Sequence, residues 1–231
     1  MILEMPIYRA IFSELSTLLK EYPIVTILGP RQAGKTTLAK EFLQGFGYAN
    51  LEDPEQRELA TADPKAFLSG LKSPSIIDEI QRVPELLRYL QVIIDQRSGN
   101  GQYVLTGSHQ LSLRQAITQS LAGRTAILNL MPLSISELRA AEIEYNSFEE
   151  YAFHGFLPRI HSQKQRPSVA YANYNQTYVE RDVRQLIQLR DASLFEKCLK
   201  LLAGRSGQIL DYSSLANDVG VDAKTIRHWT S

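Results

Sequence analysis

Cysteine and tryptophan occur once each in 231 residues, as Cys198 and Trp229, and neither sign of charge is in excess, 25 Lys and Arg standing against 25 Asp and Glu. One cysteine excludes a disulfide within the chain and suits a reducing compartment. Among Leu194, Phe195, Leu199 and Leu202 it reads as a small core residue. The balanced charge excludes a global basic field drawing the chain to nucleic acid or an anionic membrane, so any such binding has to be local. Apolar runs of membrane-spanning length are missing. Near the N-terminus, Glu4 and Pro6 stand where a secretory signal needs a basic and then an apolar stretch. The expectation is a cytoplasmic protein with no membrane partner. An Asn-Lys-x-Asp guanine-reading motif is also missing, which weighs against a GTPase of the familiar kind.

What is there begins with Gly29-Pro30-Arg31-Gln32-Ala33-Gly34-Lys35-Thr36, followed by Thr37. This is a phosphate-binding loop between an apolar run, Ile24 to Leu28, and a helix-forming stretch. Its glycines let the backbone wrap closely around an oligophosphate. Amide N–H groups and a helix N-terminus then point at the anion, and Lys35 brings a compact positive charge to the outer phosphates. Thr36 offers a hydroxyl to Mg²⁺. ATP and Mg²⁺ are the expected ligands.

Around this loop the chain alternates strands and helices. A helix is predicted over 7–22, strands over 24–28, 48–51, 75–78, 103–107 and 125–130, and helices over 37–44, 53–71, 84–97 and 111–122. Such alternation implies a mostly parallel sheet covered on both faces, with ligands at the carboxyl ends of the strands. Beyond Pro132 the pattern is helical only, over 134–142, 147–153, 169–189 and 193–203. A flexible connection is expected over 156–167, where Pro158 and Pro167 stand. The fold class is therefore α/β: a P-loop sheet over 1–131, a helical segment over 132–192 and a winged-helix-like helix-turn-helix module over 193–231.

The second half of the site is Ile76-Ile77-Asp78-Glu79. A short buried strand delivers Asp78 to the sheet edge beside the phosphates, where its carboxylate can hold Mg²⁺. Glu79 can polarise an attacking water, which favours hydrolysis over transfer to another acceptor. The bland alternative is that both acids cap the next helix. Thr106 and Ser108 end the following strand, and either hydroxyl can sense the γ-phosphate or simply terminate a strand. Arg124, after Leu121-Ala122-Gly123, is a candidate arginine finger toward a neighbouring subunit, with Arg114 and Arg88 as weaker alternatives. It serves equally well as a cation answering a helix dipole.

Together with Leu51-Glu52-Asp53-Pro54, Asp78-Glu79-Ile80-Gln81, Thr106-Gly107-Ser108, Leu121-Ala122-Gly123-Arg124, Pro132-Leu133-Ser134, Gly155-Phe156-Leu157-Pro158 and Glu180-Arg181-Asp182-Val183, the phosphate loop resembles the AAA-type ATPases of bacteria and archaea. The likeness is to the branch whose longer members carry a nuclease-like C-terminal domain, which has no counterpart here. It implies an ATP- and Mg²⁺-dependent, usually oligomeric machine with Lys35, Thr36, Asp78, Glu79 and Arg124 in the roles described. His109 departs from the family's pattern, where a small polar residue is common.

Over 210–229 two short helices flank a turn at Gly220, as in a helix-turn-helix. From Asp211 to the end, Lys224 and Arg227 face Asp211, Asp218 and Asp222, a poor footprint for nucleic-acid phosphates. A more basic stretch runs from Arg159 to Arg190, where Arg159, Lys164, Arg166, Arg181, Arg184 and Arg190 outnumber Glu180 and Asp182. Either segment is a candidate for nucleic acid, or an ordinary packing unit and solvated face. The alternative to a hydrolase is an ATP-operated switch, binding DNA or protein and turning over little.

Overall fold

The computed structural model describes residues 7–108, 111–178 and 192–230. The chain forms two compact units that divide after Gln165. In the first, β1 (Ile24–Gly29), β2 (Gly47–Asn50), β3 (Ser75–Asp78), β4 (Tyr103–Ser108) and β5 (Thr125–Asn129) form a sheet in the order β2-β3-β4-β1-β5. All pairings are parallel. Its helices are α1 (Phe12–Glu21), α2 (Lys35–Phe42), α3 (Pro54–Ala62), α4 (Pro64–Gly70), α5 (Leu86–Gln96), α6 (Leu111–Leu121), α7 (Ile135–Ala140), α8 (Phe148–His154) and α9 (Pro158–Ser162), with a 3₁₀ turn at Ile80–Arg82.

Strand alternation feeds two cores. Val25, Ile27, Ile76, Val104 and Leu128 pack with Leu15 of α1 and Leu38 and Ala39 of α2. Ile24, Leu28, Ile77 and Leu105 pack on the other face with Phe67 and Leu68 of α4, Leu86, Leu87 and Leu90 of α5, and Ile117 of α6. With both faces covered, β1 is buried throughout and reads as a continuous apolar run. Most consequential is the position of β4, inserted between β1 and β3, since it brings three strand ends together at one edge.

Several elements differ in detail from the sequence reading. The stretch expected as one helix over 53–71 is two, each started by an Asp before a Pro. Asp53 accepts from the N–H of Glu55, and Asp63 from that of Ala66. Such caps are worth about 1 kcal/mol each, enough to end one helix and begin the next. The first helix starts at Phe12, not Ile7, because the Ala10 N–H is bonded to the Glu137 carboxylate at 2.9 Å. Ile7 instead joins a satellite core with Leu133, Leu138 and Tyr151. The connection expected as flexible over 156–167 contains α9, with Pro158 in its first turn and Leu157, Ile160 and His161 buried. Pro at a helix start forfeits no hydrogen bond. These contacts carry the first compact unit past Met131 to Gln165.

The second unit holds α10 (Pro167–Tyr178), α11 (Ala192–Gly204), α12 (Tyr212–Val219) and α13 (Ala223–Thr230). Cys198 is buried with Leu215, Ala216, Val219 and Ile226, as expected of a small core residue. The chain turns between α12 and α13 at Gly220, giving the helix-turn-helix, and there is no strand among the described residues of this unit. Of the sequence-stretch landmarks, His109, Glu180, Arg181, Asp182, Val183, Arg184 and Arg190 lie outside the described residues.

Candidate functional site

The loop after β1 owes its shape to left-handed backbone at two residues. Gly34 has φ 93° and immediately precedes α2, and Gln32 has φ 58°. A non-glycine residue held there costs about 1–2 kcal/mol. No side chain caps α2, so its first N–H groups are directed at whatever occupies the loop. Lys35 is buried and donates to the carbonyls of Gly29 at 3.0 Å and Pro30 at 2.9 Å. The ammonium is thereby held within the loop it serves.

Asp78, at the end of β3, is 2 % exposed and is the hub of the site. Thr36 donates its hydroxyl to Oδ2 at 2.9 Å, Tyr48 of β2 donates to the same oxygen at 2.7 Å, and Thr106 of β4 donates to Oδ1. Burial first, then the hydrogen bond to Asp78, pushes the Tyr48 phenol well above its ordinary value, so it stays a donor. The Thr106 hydroxyl also accepts the N–H of Glu79 at 3.2 Å. Glu79 itself is half-buried on left-handed backbone, with φ 62°. Burial raises its carboxyl above the usual value, the Lys35 charge opposes this, and the Asp78 charge adds to it. Gln81 donates to the Glu79 carboxylate.

Thus Gly29 to Thr37, Asp78, Glu79, Thr106 and Ser108 all lie at the carboxyl edge of the sheet. Arg124 does not. The register Ile24↔Thr125 puts it at the amino edge, before β5, roughly 20 Å along the strands from the loop at ~3.3 Å per residue. There it pairs with Asp95 of α5 through two bonds of 2.6 and 2.9 Å. This geometry excludes action on the chain's own phosphates. Arg88 is exposed and paired with Glu85 at 3.5 Å, while Arg114 donates to Asn129, at the end of β5, at 3.4 Å.

Three participants were given no role in the site by the sequence: Tyr48, Gln81 and Arg9. The guanidinium of Arg9 is buried. It pairs with Glu137 at 3.0 Å and donates to the carbonyls of Ala33, inside the phosphate loop, at 2.7 Å and Met131 at 2.6 Å. Arg9 and Glu137 are 128 positions apart, and no local pattern pairs them.

A loop after β1, an acid hub on β3 two places away and β4 interposed between them make up the α/β sheet of a P-loop fold. The family model described as an AAA domain matches residues 21–139, and the chain belongs to that family of AAA-type P-loop ATPases. A second family model, described as a domain of unknown function, matches 145–231. Uncharacterized proteins of Mycobacterium bovis and Mycobacterium tuberculosis are each 30% identical over 210 residues, which make up 90% of this chain and 46% of theirs. The chain therefore spans about half the length of these curated relatives. Among solved structures, the Walker-type ATPase PABY2304 of Pyrococcus abyssi shares the fold, with a TM-score of 0.54 at 16% identity over 93% of this chain and 89% of that one. No helix among the described residues is long and apolar enough to cross a membrane.

Proposed function

We propose that this chain binds ATP with Mg²⁺ and hydrolyses it, as the motor part of a homo-oligomer. The observation that carries the reading is the 2.9 Å bond between Thr36, at the start of the helix that follows the phosphate loop, and Asp78, with Glu79 the next residue. Thr36 and Asp78 are hard oxygen donors already in contact, a set that suits Mg²⁺ beside phosphate oxygens. When bound, the ion neutralises charge on the phosphates. Lys35 and the N–H groups of the loop and α2 hold the β- and γ-phosphates. Glu79 takes a proton from water as the water oxygen bonds to the γ-phosphorus and the bond to the ADP oxygen breaks. A raised carboxyl affinity for protons suits that base. Preference for adenine rests on family membership.

Phosphate release measured with and without Mg²⁺, beside ATP titrations of the wild type and Lys35→Ala, tests this. The expected results are Mg²⁺-dependent release by the wild type and an affinity for ATP roughly 10- to 100-fold weaker in Lys35→Ala, the worth of a charge-assisted contact. Binding without release by the wild type would leave an ATP-operated switch. Equal affinity in the variant would remove the loop from phosphate binding.

Arg124 stands at the edge opposite its own site, which supports a finger supplied to a neighbour, where such groups contribute ~10³ to 10⁵ in rate. In mixtures, Glu79→Gln subunits should restore turnover to Arg124→Ala subunits, whose own Glu79 is intact, by lending them Arg124. An Arg124→Ala protein as active as the wild type would reject the role. Nucleic acid is left out of the proposal, because the helix-turn-helix residues from Asp211 onward carry three carboxylates against two cations.

A further inference from the structure

Gln81 lies in the 3₁₀ turn that follows the acidic pair, and its side chain spans two strand ends. Its Nε2 donates to Oε2 of Glu79, and its Oε1 accepts the backbone N–H of Ser108 at 3.3 Å. A carboxamide carries donor and acceptor on one rigid plane, so a single group joins the end of β3 to the end of β4. The site is shaped for it. A Cβ on Gly107 would stand 2.8 Å from Gln81 Oε1 and 2.5 Å from Leu113 Cδ2, so glycine there provides room for the amide. The two hydroxyls of β4 are meanwhile in different states. That of Thr106 is engaged on both sides, by Asp78 and by the Glu79 N–H. That of Ser108 is buried and has no hydrogen-bond partner among the described residues. Of the two, Ser108 is the one left to answer a phosphate.

We infer that Gln81 is a positioning residue: it orients the Glu79 carboxylate and ties it to the end of β4, so that a γ-phosphate met by Ser108 and the base that activates water are registered to each other. This rests on the hydrolytic reading proposed above. Glu79 needs such a tie because its side chain has several rotatable bonds, which otherwise let the carboxylate turn away. A misplacement of about 1 Å at a reacting group can cost on the order of 10²-fold in rate.

The test uses the full chain and five proteins: wild type, Gln81→Ala, Gln81→Glu, Glu79→Gln and the Gln81→Ala/Glu79→Gln double variant, each assayed for single-turnover phosphate release and for affinity toward a non-hydrolysable ATP analogue. Gln81→Ala should lower release roughly 10- to 100-fold and leave affinity within about threefold. In the Glu79→Gln background it should cost nothing further, since it acts through that carboxylate. Gln81→Glu keeps the volume and the acceptor but loses the donor to Glu79, and should fall as far as Gln81→Ala, which guards against a misfolded alanine variant. Wild-type release by Gln81→Glu, equal losses in both backgrounds, or loss of affinity in step with loss of rate would each overturn the positioning role. A wild type that binds the analogue and releases no phosphate would instead overturn the hydrolytic reading, and this inference with it. Active wild type, inactive Glu79→Gln and unimpaired Gln81 variants would overturn this inference alone.

Discussion

Glu79→Gln should slow phosphate release by ~10²- to 10⁴-fold, the usual worth of a general base, while ATP binds as tightly as to the wild type. The substitution keeps shape and volume and removes only the ability to take a proton. Affinity should survive because the proposed phosphate contacts come from Lys35, which is anchored on the Gly29 and Pro30 carbonyls, and from the helix start after Gly34. The backbone at residue 79 is already left-handed, and glutamine tolerates that conformation no worse than glutamate, so folding should be unaffected. Parallel measurement of single-turnover release and equilibrium binding checks this. A loss of binding equal to the loss of rate would make Glu79 a structural acid, and unchanged release would move the base elsewhere.

The second large effect is on stability. Arg9→Ala should cost about 3–5 kcal/mol, because it leaves a buried Glu137 carboxylate without its cation. In a unit of this size the midpoint of thermal unfolding should fall on the order of 10 °C. The same change orphans the Ala33 carbonyl, so the phosphate loop should loosen and ATP should bind more weakly. Glu137 adds a dependence on pH. Burial alone would raise its carboxyl, but the N–H groups of Ser134 and Ala10 and the charge of Arg9 outweigh burial and hold it below the usual carboxylate range. A folded value below the unfolded one of about 4.3 means that the stabilisation is present above that pH and lost as pH falls through the folded value. Urea unfolding between pH 7 and pH 3 should therefore show a steeper acid loss for the wild type than for Glu137→Gln. An Arg9→Ala midpoint within a degree or two of the wild type would show that the pair is not holding these segments together.

Legibility varied with the range of the interaction involved. The phosphate loop could be read because its chemistry is local: glycines, a lysine and a threonine at fixed spacing between an apolar run and a helix. The strand expected over 75–78 was readable for the same reason, and its observed bounds, Ser75–Asp78, are the expected ones. The break at Asp63-Pro64 carried its own signal, an acid before a proline, which the helical periodicity on both sides masked. The stretch 156–167 misled in the opposite direction, since Pro158 and Pro167 resemble a connector, yet Pro158 starts a helix whose Ile160 and His161 are buried. Arg9 gave no signal at all. Its partners lie at positions 33, 131 and 137, and a lone cation in a helical pattern reads as a solvated face.

By itself the sequence determined the parallel α/β class, the phosphate loop, the acid pair at the end of β3 and the helix-turn-helix over 210–229, because each of these is written in neighbouring residues. Only the tertiary structure decided that β4 passes between β1 and β3, that Asp78 gathers Thr36, Tyr48 and Thr106, and that Arg124 faces away from its own loop. Strand order and buried ion pairs depend on which distant segments share a core, and the same apolar run packs equally well into several neighbours until the whole sheet has closed around it.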